Sequence, residues 1–336
     1  MSGPLVMALP SKGRLHDQAI DFLNDCGFGV RKSGDGREYV AKLSGIEGVS
    51  IIYFRPDEIP ARIDLGDAHV GLTGEDLYRE YGEGQHASHL LMPNLGFGAA
   101  RLVVGVPQSW IDVSTLNDLD EAAMLFHQKH GRSLRVATKF ARLTRAFFAE
   151  NGIVEYTLVE SAGATEGTPA AGVADLIVDL TSTGATMTQN HLKEIEGGTV
   201  IRSHCCMIAA LKARLWSQGT LAALEHVVEQ IEARTRAKAT QILRFSIPHE
   251  TAAQTLRTLN AKHGCTVTSV RTENELSGRR DFVVALCGPA KVHGAVHFLR
   301  NAGSAETIVD RSEFIYQGGS AAIAGFKDVL KRAAEG

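Results

Sequence analysis

Short apolar runs punctuate the chain, each closed by a polar or glycine-containing stretch and most followed by a segment of helical spacing. Residues 5–9, 49–54 and 68–72 read as buried strands. Each ends in a polar turn: Pro10-Ser11-Lys12-Gly13-Arg14, Arg55-Pro56-Asp57-Glu58-Ile59-Pro60 and Thr73-Gly74-Glu75-Asp76. The first turn feeds a helix over 15–26 that stops at Gly27, and Pro56 marks the junction into a helix running to Gly66. Further on, 90–93 and 101–107 are strands separated by Gly96-Phe97-Gly98, a candidate hinge. A polar-faced helix is predicted at 117–131, strands at 134–138, 154–160 and 175–180, and a helix at 143–151 ended by Gly152. Between Val103 and Thr188 strand and helix alternate, which predicts a parallel sheet.

After Gly197-Gly198, residues 200–211 are strand-like and 221–238 form a long amphipathic helix. At Thr240 the pattern changes. Strands at 242–247, 265–270, 281–287 and 306–310 and helices at 250–262 and 291–301 follow in the order βαββαβ, a ferredoxin-like arrangement. A terminal helix spans 321–334.

The stretch richest in candidate chemistry runs from Asp175 through the apolar residues 176–178 to Asp179, then into Ser182-Thr183-Gly184-Ala185-Thr186, with 186–192 able to turn helical. Small residues let backbone N–H groups approach an anion, hydroxyls donate further hydrogen bonds, and a helix N-terminus favours negative charge. The loop is therefore predicted to hold a phosphate, with Asp175 and Asp179 placed to bind ribose hydroxyls directly or through a metal ion. By itself the loop fits an ordinary Ser/Thr-rich turn equally well. The nucleoside-triphosphate pattern of Gly, four residues, then Gly-Lys-Ser/Thr is absent. A parallel sheet would bring Arg14, Arg55 and Asp76 to one edge, although Lys12 and Arg14 also suit a solvated turn and Asp76 a helix cap. The small-residue turn Ser161-Ala162-Gly163-Ala164-Thr165-Glu166 follows another strand. His293 and His297 share a helix face without a third ligand, and no metal site is assigned.

Composition narrows the classes. The 336 residues are 44% hydrophobic and 22% charged, enough for two or three domains with substantial cores. A net charge of -3 and no dense run of Lys or Arg argue against a nucleic-acid partner. Residues 1–15 gain Lys12 and Arg14 too early for a secretory signal, and no apolar run is long enough to span a bilayer, so no membrane partner is expected. Five scattered cysteines without zinc spacing read as reduced thiols of a cytoplasmic protein.

Several of these turns together resemble the ATP phosphoribosyltransferase family, in its long form with a C-terminal regulatory domain. The matching pieces are Ala8-Leu9-Pro10-Ser11-Lys12-Gly13-Arg14-Leu15, Arg55-Pro56-Asp57-Glu58-Ile59-Pro60, Gly71-Leu72-Thr73-Gly74-Glu75-Asp76 and Arg135-Val136-Ala137-Thr138-Lys139-Phe140, then Glu166 with Pro169, and 174–179 leading into Ser182-Thr183-Gly184-Ala185-Thr186. They occur in order between residues 5 and about 210. The resemblance implies an α/β fold: a two-lobed catalytic core like a type II periplasmic binding protein, plus a C-terminal ferredoxin-like (βαββαβ) α+β regulatory domain. Lobe I would take 1–98 with 197–238, lobe II 99–196, the regulatory domain 239–318 and a helical tail 319–336. It implies transfer of phosphoribose from phosphoribosyl pyrophosphate (PRPP) to ATP, the first step of histidine biosynthesis, with Mg²⁺ on the pyrophosphate, inhibition by histidine and a homo-oligomer from dimer to hexamer.

By the same resemblance, Ser182, Thr183, Gly184, Ala185 and Thr186 would hold the 5-phosphate, with Asp179, Asp175 and Glu166 near the ribose. Lys12, Gly13, Arg14, Arg55, Asp76, Lys139 and Phe140 would line the nucleotide and pyrophosphate regions; Phe140 stands where the family often has tyrosine. Arg14, Arg55, Lys139 and Asp179 would carry catalysis. In the regulatory domain Gly264-Cys265-Thr266-Val267-Thr268-Ser269 replaces a stretch that usually contains proline, and Gly303-Ser304 stands where Gly-Ala is common. Thr266, Thr268 and Ser304 are the candidate regulatory contacts there. The competing reading is a two-lobed small-molecule-binding protein or paralogue without chemistry. The intact 182–186 loop, Arg14 and Asp76 count against it.

Overall fold

The structure is a computed structural model and describes residues 3–32, 40–82, 87–161, 163–275 and 278–335. Ala162 of the small-residue turn lies outside the described residues. Two compact units make up the chain. One comprises residues up to Asn24, Phe28–Ala223 and those from Gly325 onward; the other comprises Asp25–Gly27 and Leu224–Ala324.

The first unit holds two sheets. Lobe I begins with β1 (Leu5–Pro10), α1 (Arg14–Asp25), β2 (Gly29–Lys32), β3 (Val40–Ser44), β4 (Val49–Phe54), α2 (Ile59–Leu65), β5 (Val70–Gly74), α3 (Glu75–Tyr81) and β6 (Ser88–Met92). β1 pairs parallel with β4 and with β5. Their carboxyl ends therefore share one edge, as expected for the turns that follow them. Pro60 early in α2 has no N–H to lose there, and Gly66 ends that helix at φ +85°, donating to the Arg62 and Ile63 carbonyls. The expected polar turn at 73–76 is not a turn: β5 runs straight into α3, with extended Gly74 as the junction.

Lobe II contains β7 (Ala100–Pro107), α4 (Leu116–His130), β8 (Leu134–Thr138), α5 (Ala141–Glu150), β9 (Tyr156–Glu160), β10 (Leu176–Thr181), α6 (Ala185–Gln189) and β11 (Leu192–Ser203). Its sheet order is β11-β7-β10-β8-β9. Only β10, β8 and β9 are parallel; β7 is antiparallel to both β10 and β11, so the sheet is mixed. Those two antiparallel strands are the ones by which the chain enters and leaves the lobe. Gly197-Gly198 does not break β11 but sits where the register shifts, and a Cβ on Gly198 would come within 2.8 Å of the Ile195 side chain. Here 186–192 is helical only as far as Gln189.

The chain returns to the first sheet as β12 (Cys205–Ala210), placing the crossing at His204, with sheet order β2-β3-β4-β1-β5-β12-β6. The outward crossing uses Gly96 and Gly98, both at positive φ (+83° and +71°). Backbone bonds from Cys205 to the Phe97 carbonyl and from Leu95 to the Cys205 carbonyl tie the two crossings together. The result is two α/β lobes joined by a two-strand hinge, the architecture of a type II periplasmic binding protein.

The helix α7 (Gln218–Lys238) leads into the second unit: β13 (Gln241–Pro248), α8 (His249–His263), β14 (Thr266–Glu275), β15 (Gly278–Cys287), α9 (Val292–Asn301) and β16 (Thr307–Asp310). The antiparallel order β14-β15-β13-β16 is the ferredoxin-like one expected from βαββαβ. Alternation buries Leu243, Phe245 and Ile247 of β13 against the helices while Arg244 faces outward. The tail forms α10 (Ala321–Glu335); its fully buried Phe326 belongs to the first unit and packs there on His89 and Trp216.

Candidate active site

The cleft edge of lobe I is built from the ends of β1 and β4. The Ser11 N–H donates to the Phe54 carbonyl, which pins the start of the basic turn, and Gly13 at φ +79° lets it bend into α1. Lys12, Gly13 and Arg14 are left exposed. Arg14 crosses to the other lobe, its Nη1 donating to Ser182 Oγ at 3.1 Å. Arg55, also exposed, pairs with Asp57 of its own turn at 3.0 Å.

On lobe II the matching edge is the carboxyl end of β10. Asp179 is partly buried, and burial raises its carboxyl above the ordinary carboxylate value; the Leu180 N–H, at 2.9 Å from Oδ1, and the nearby Lys139 charge oppose that shift. Glu166 adds a second negative charge to the group and Thr165 a hydroxyl. After Thr181 the loop turns at Gly184, φ +78°, whose N–H donates to Thr181 Oγ1 at 2.8 Å. Ser182, Thr183, Ala185 and Thr186 are exposed, and Thr183 Oγ1 accepts from the Ala185 N–H at 3.4 Å. The cleft thus gathers Lys139, Glu166, Asp179 and the 182–186 loop on one lobe, with Arg14 reaching it from the other.

Four sequence expectations end elsewhere. Asp175 lies at the amino end of β10, about 13 Å of strand from Asp179 at ~3.3 Å per residue. It is held by Arg132 (2.6 and 2.9 Å), by the Arg135 N–H (2.8 Å) and by the Arg135 side chain, so it cannot serve the ribose. Burial pushes its carboxyl up, but these donors outweigh burial and hold it well below 3.8. Asp76 is only 4% exposed, and Ser203 Oγ bonds its carboxylate while accepting from its backbone N–H. It fixes the start of α3 instead of lining a nucleotide site, and burial raises its pKa. Phe140 is 3% exposed in the lobe II core, because the Thr138 hydroxyl holds its N–H at 2.9 Å and α5 begins next to it. Thr266 and Thr268 sit on β14 and Ser304 precedes β16, at opposite edges of a four-stranded sheet, roughly 14 Å apart at ~4.8 Å per strand. Thr268 Oγ1 donates to the Val284 carbonyl and Ser304 Oγ to that of Glu306, so the three do not form one site.

Sequence reasoning missed the cross-lobe contacts behind Lys139. Glu80 of α3 accepts from the Arg142 and Leu143 N–H groups at 2.8 and 2.9 Å, satisfying the N-terminus of α5. Tyr81 OH donates to the Lys139 carbonyl at 3.0 Å and Arg142 to the Gly82 carbonyl at 2.8 Å. Also missed was the pairing of Arg101 with Glu194. Partners separated by about sixty to ninety positions leave no local signal. Among the described residues no group of three or more His, Cys, Asp or Glu is gathered as for a metal ion, and all five cysteines are free and buried. No helix among them is long and apolar enough to cross a membrane.

Two hinged α/β lobes with cations on one and a hydroxyl-rich loop beside a carboxylate on the other make a cleft of the class that suits an anionic, hydroxyl-bearing ligand. The family model described as HisG, ATP phosphoribosyltransferase, matches residues 55–233. The ATP phosphoribosyltransferase of Caulobacter vibrioides (strain NA1000 / CB15N) is 40% identical over 331 residues, covering 98% of this chain and 99% of the relative. That of Rhodopseudomonas palustris (strain BisA53) is 42% identical over 310 residues, 92% of each. Among solved structures, the ATP phosphoribosyl transferase (HisG:HisZ) complex from Thermotoga maritima superposes with a TM-score of 0.51 at 23% identity, covering 68% of this chain and 98% of that one. The chain belongs to the ATP phosphoribosyltransferase family, the pentosyltransferases that open histidine biosynthesis.

Proposed function

We propose that the cleft joins ATP and PRPP at the places just described. The 182–186 loop takes the 5-phosphate through its backbone N–H groups and its hydroxyls, and Asp179 with Glu166 takes the ribose hydroxyls. Lys12, Gly13, Arg14 and Arg55 from lobe I and Lys139 from lobe II surround the pyrophosphate and the nucleotide. Adenine N1 attacks C1 of PRPP; the N1–C1 bond forms as the C1–O bond breaks, and pyrophosphate leaves with the electron pair. Positioning and charge account for the rate, since C1 gains oxocarbenium character and the leaving group gains negative charge. Mg²⁺ enters with PRPP as part of the substrate, and the oxygen donors of Asp179 and Glu166 suit such a hard cation. The observation that carries this reading is the Arg14 to Ser182 hydrogen bond, which sets a lobe I cation against the loop of lobe II.

Histidine inhibition through the second unit, a homo-oligomer between dimer and hexamer, and work in the cytoplasm complete the proposal. The reduced, buried thiols support that compartment, and the ferredoxin-like unit supplies a place for an effector. The test is an absorbance assay with ATP, PRPP and Mg²⁺, pyrophosphatase to draw the reaction forward, and histidine as the variable, with light scattering for the oligomer. Turnover suppressed by histidine is expected. Turnover indifferent to histidine removes the regulatory part alone, and no turnover removes the assignment of the cleft.

A further inference from the structure

The pairing of Arg101 with Glu194 belongs to none of the roles above, yet it lies against the phosphate loop. Arg101, near the start of β7, stands opposite Thr181 at the end of β10. Thr181 is the residue whose hydroxyl holds the Gly184 N–H. Glu194 reaches the same place from β11: a Cβ built on Gly184 would stand 3.4 Å from its Oε1. Two hydrogen bonds join the side chains, Nη1 to Oε2 at 2.7 Å and Nη2 to Oε1 at 2.9 Å, and each side chain keeps 29% of its exposure.

A carboxylate this near Gly184 opposes any dianion held by the loop, and partial burial leaves that repulsion only partly screened. A bidentate guanidinium cancels it, because the planar fork of Arg matches a carboxylate at both oxygens. We propose that Arg101 is a positioning residue of the phosphate subsite, neutralising Glu194 beneath Gly184 so that the loop can accept the 5-phosphate of PRPP. Glu194 in turn takes up both terminal guanidinium nitrogens, which limits how much of that positive charge is felt by an anion on the loop. The inference rests on the loop being the phosphate site, as proposed above.

The two charges then have opposite effects on PRPP, which an ordinary structural ion pair would not show. The experiment measures kcat and both KM values for the wild type, Arg101→Gln, Glu194→Gln and the double variant, with a thermal melt of each. Arg101→Gln is expected to raise the KM for PRPP by roughly tenfold while that for ATP moves less than about twofold. Glu194→Gln is expected to lower the KM for PRPP, and adding it to Arg101→Gln to restore most of the loss. A rise in the KM for PRPP with Glu194→Gln overturns the inference, as does an equal rise in both KM values with Arg101→Gln. Should Arg101→Gln fail to fold, the near-isosteric Glu194→Gln decides by its sign alone. A wild type that does not turn over removes the reading of the cleft before any variant is made, whereas an active wild type with the wrong signs removes only this inference.

Discussion

Asp175 just before β10 and Asp179 within it lie four residues apart, and their surroundings drive them in opposite directions. At the amino end, two guanidiniums and a backbone N–H converge on Asp175 and keep it ionised. At the carboxyl end, Asp179 has its neighbour's N–H and a lysine charge, set against burial and another carboxylate. The first acid is held by two guanidiniums within lobe II, whereas the second has only neutral donors, the Leu180 N–H and the Thr165 hydroxyl, as hydrogen-bond partners among the described residues. A strand in an open α/β sheet has a structural end and a ligand end, and residue type alone does not say which acid stands where.

The largest effect should follow from breaking the ligand end. Asp179→Asn keeps the size and removes the charge, and kcat/KM should fall by about 100-fold through lost charge stabilisation. Stability should hold or rise slightly, because burial disfavours the ionised carboxylate that the substitution removes. Steady-state kinetics with a urea melt checks both; a melt that collapses alongside the activity would make Asp179 a structural residue like Asp175.

Breaking the structural end should do the reverse. Asp175→Ala leaves two guanidiniums facing each other on a partly exposed edge, so the loss should be roughly 2 kcal/mol, between the surface and buried limits for ion pairs. The kcat/KM of the remaining folded enzyme should change by less than about threefold, since nothing at the carboxyl end of β10 is touched. Urea midpoints and kinetics on the same preparation measure the two together.

Acid separates the two carboxylates without a loss of side-chain volume. Asp175 has a folded pKa below its unfolded 3.8, so its stabilisation is complete above 3.8 and is lost as pH falls from there through the folded value. Asp179 has a folded pKa above 3.8: the native state binds the extra proton between the two values, and stability falls as pH rises across that window. Asp175→Ala should therefore flatten the loss of urea midpoint below pH 3.8, while Asp179→Asn should leave that limb intact and remove a decline above it. The effect is smaller than either loss just described, because one titrating group contributes only part of each slope.

Much of this was legible in the sequence because it is local. The turn after β10, the basic turn at Lys12 to Arg14, the hinge glycines and the βαββαβ order all sit within contiguous stretches and lie where they were read, although α6 already begins at Ala185. Direction and partners were not legible. The antiparallel course of β7, the length of β11 past Gly197, and the contacts of Glu80, Tyr81 and Arg101 depend on residues far apart in the chain. The hairpin of β2 and β3 was unread, since its few apolar positions do not distinguish it from a polar connection. Asp76 shows why an acid at a turn is ambiguous: the same residue type closes a helix start or binds a ligand, and Ser203, which decides the matter, is 127 positions away.

The contrast between a packed and an open position recurs over a single step at the end of β8, and it yields the smallest expected effect. Lys139 is exposed beside Asp179, whereas Phe140 is buried among the lobe II core with its N–H on the Thr138 hydroxyl. Were Phe140 a nucleotide contact, Phe140→Leu would raise the KM for ATP. From its burial, the substitution should cost about 1 kcal/mol of stability through imperfect repacking and leave the KM for ATP within roughly twofold. A larger rise with an unchanged melt would put the ring in the cleft and reverse the assignment. An unchanged KM with a lowered melt would show that at this strand end the aromatic residue serves the lobe II core and not the nucleotide.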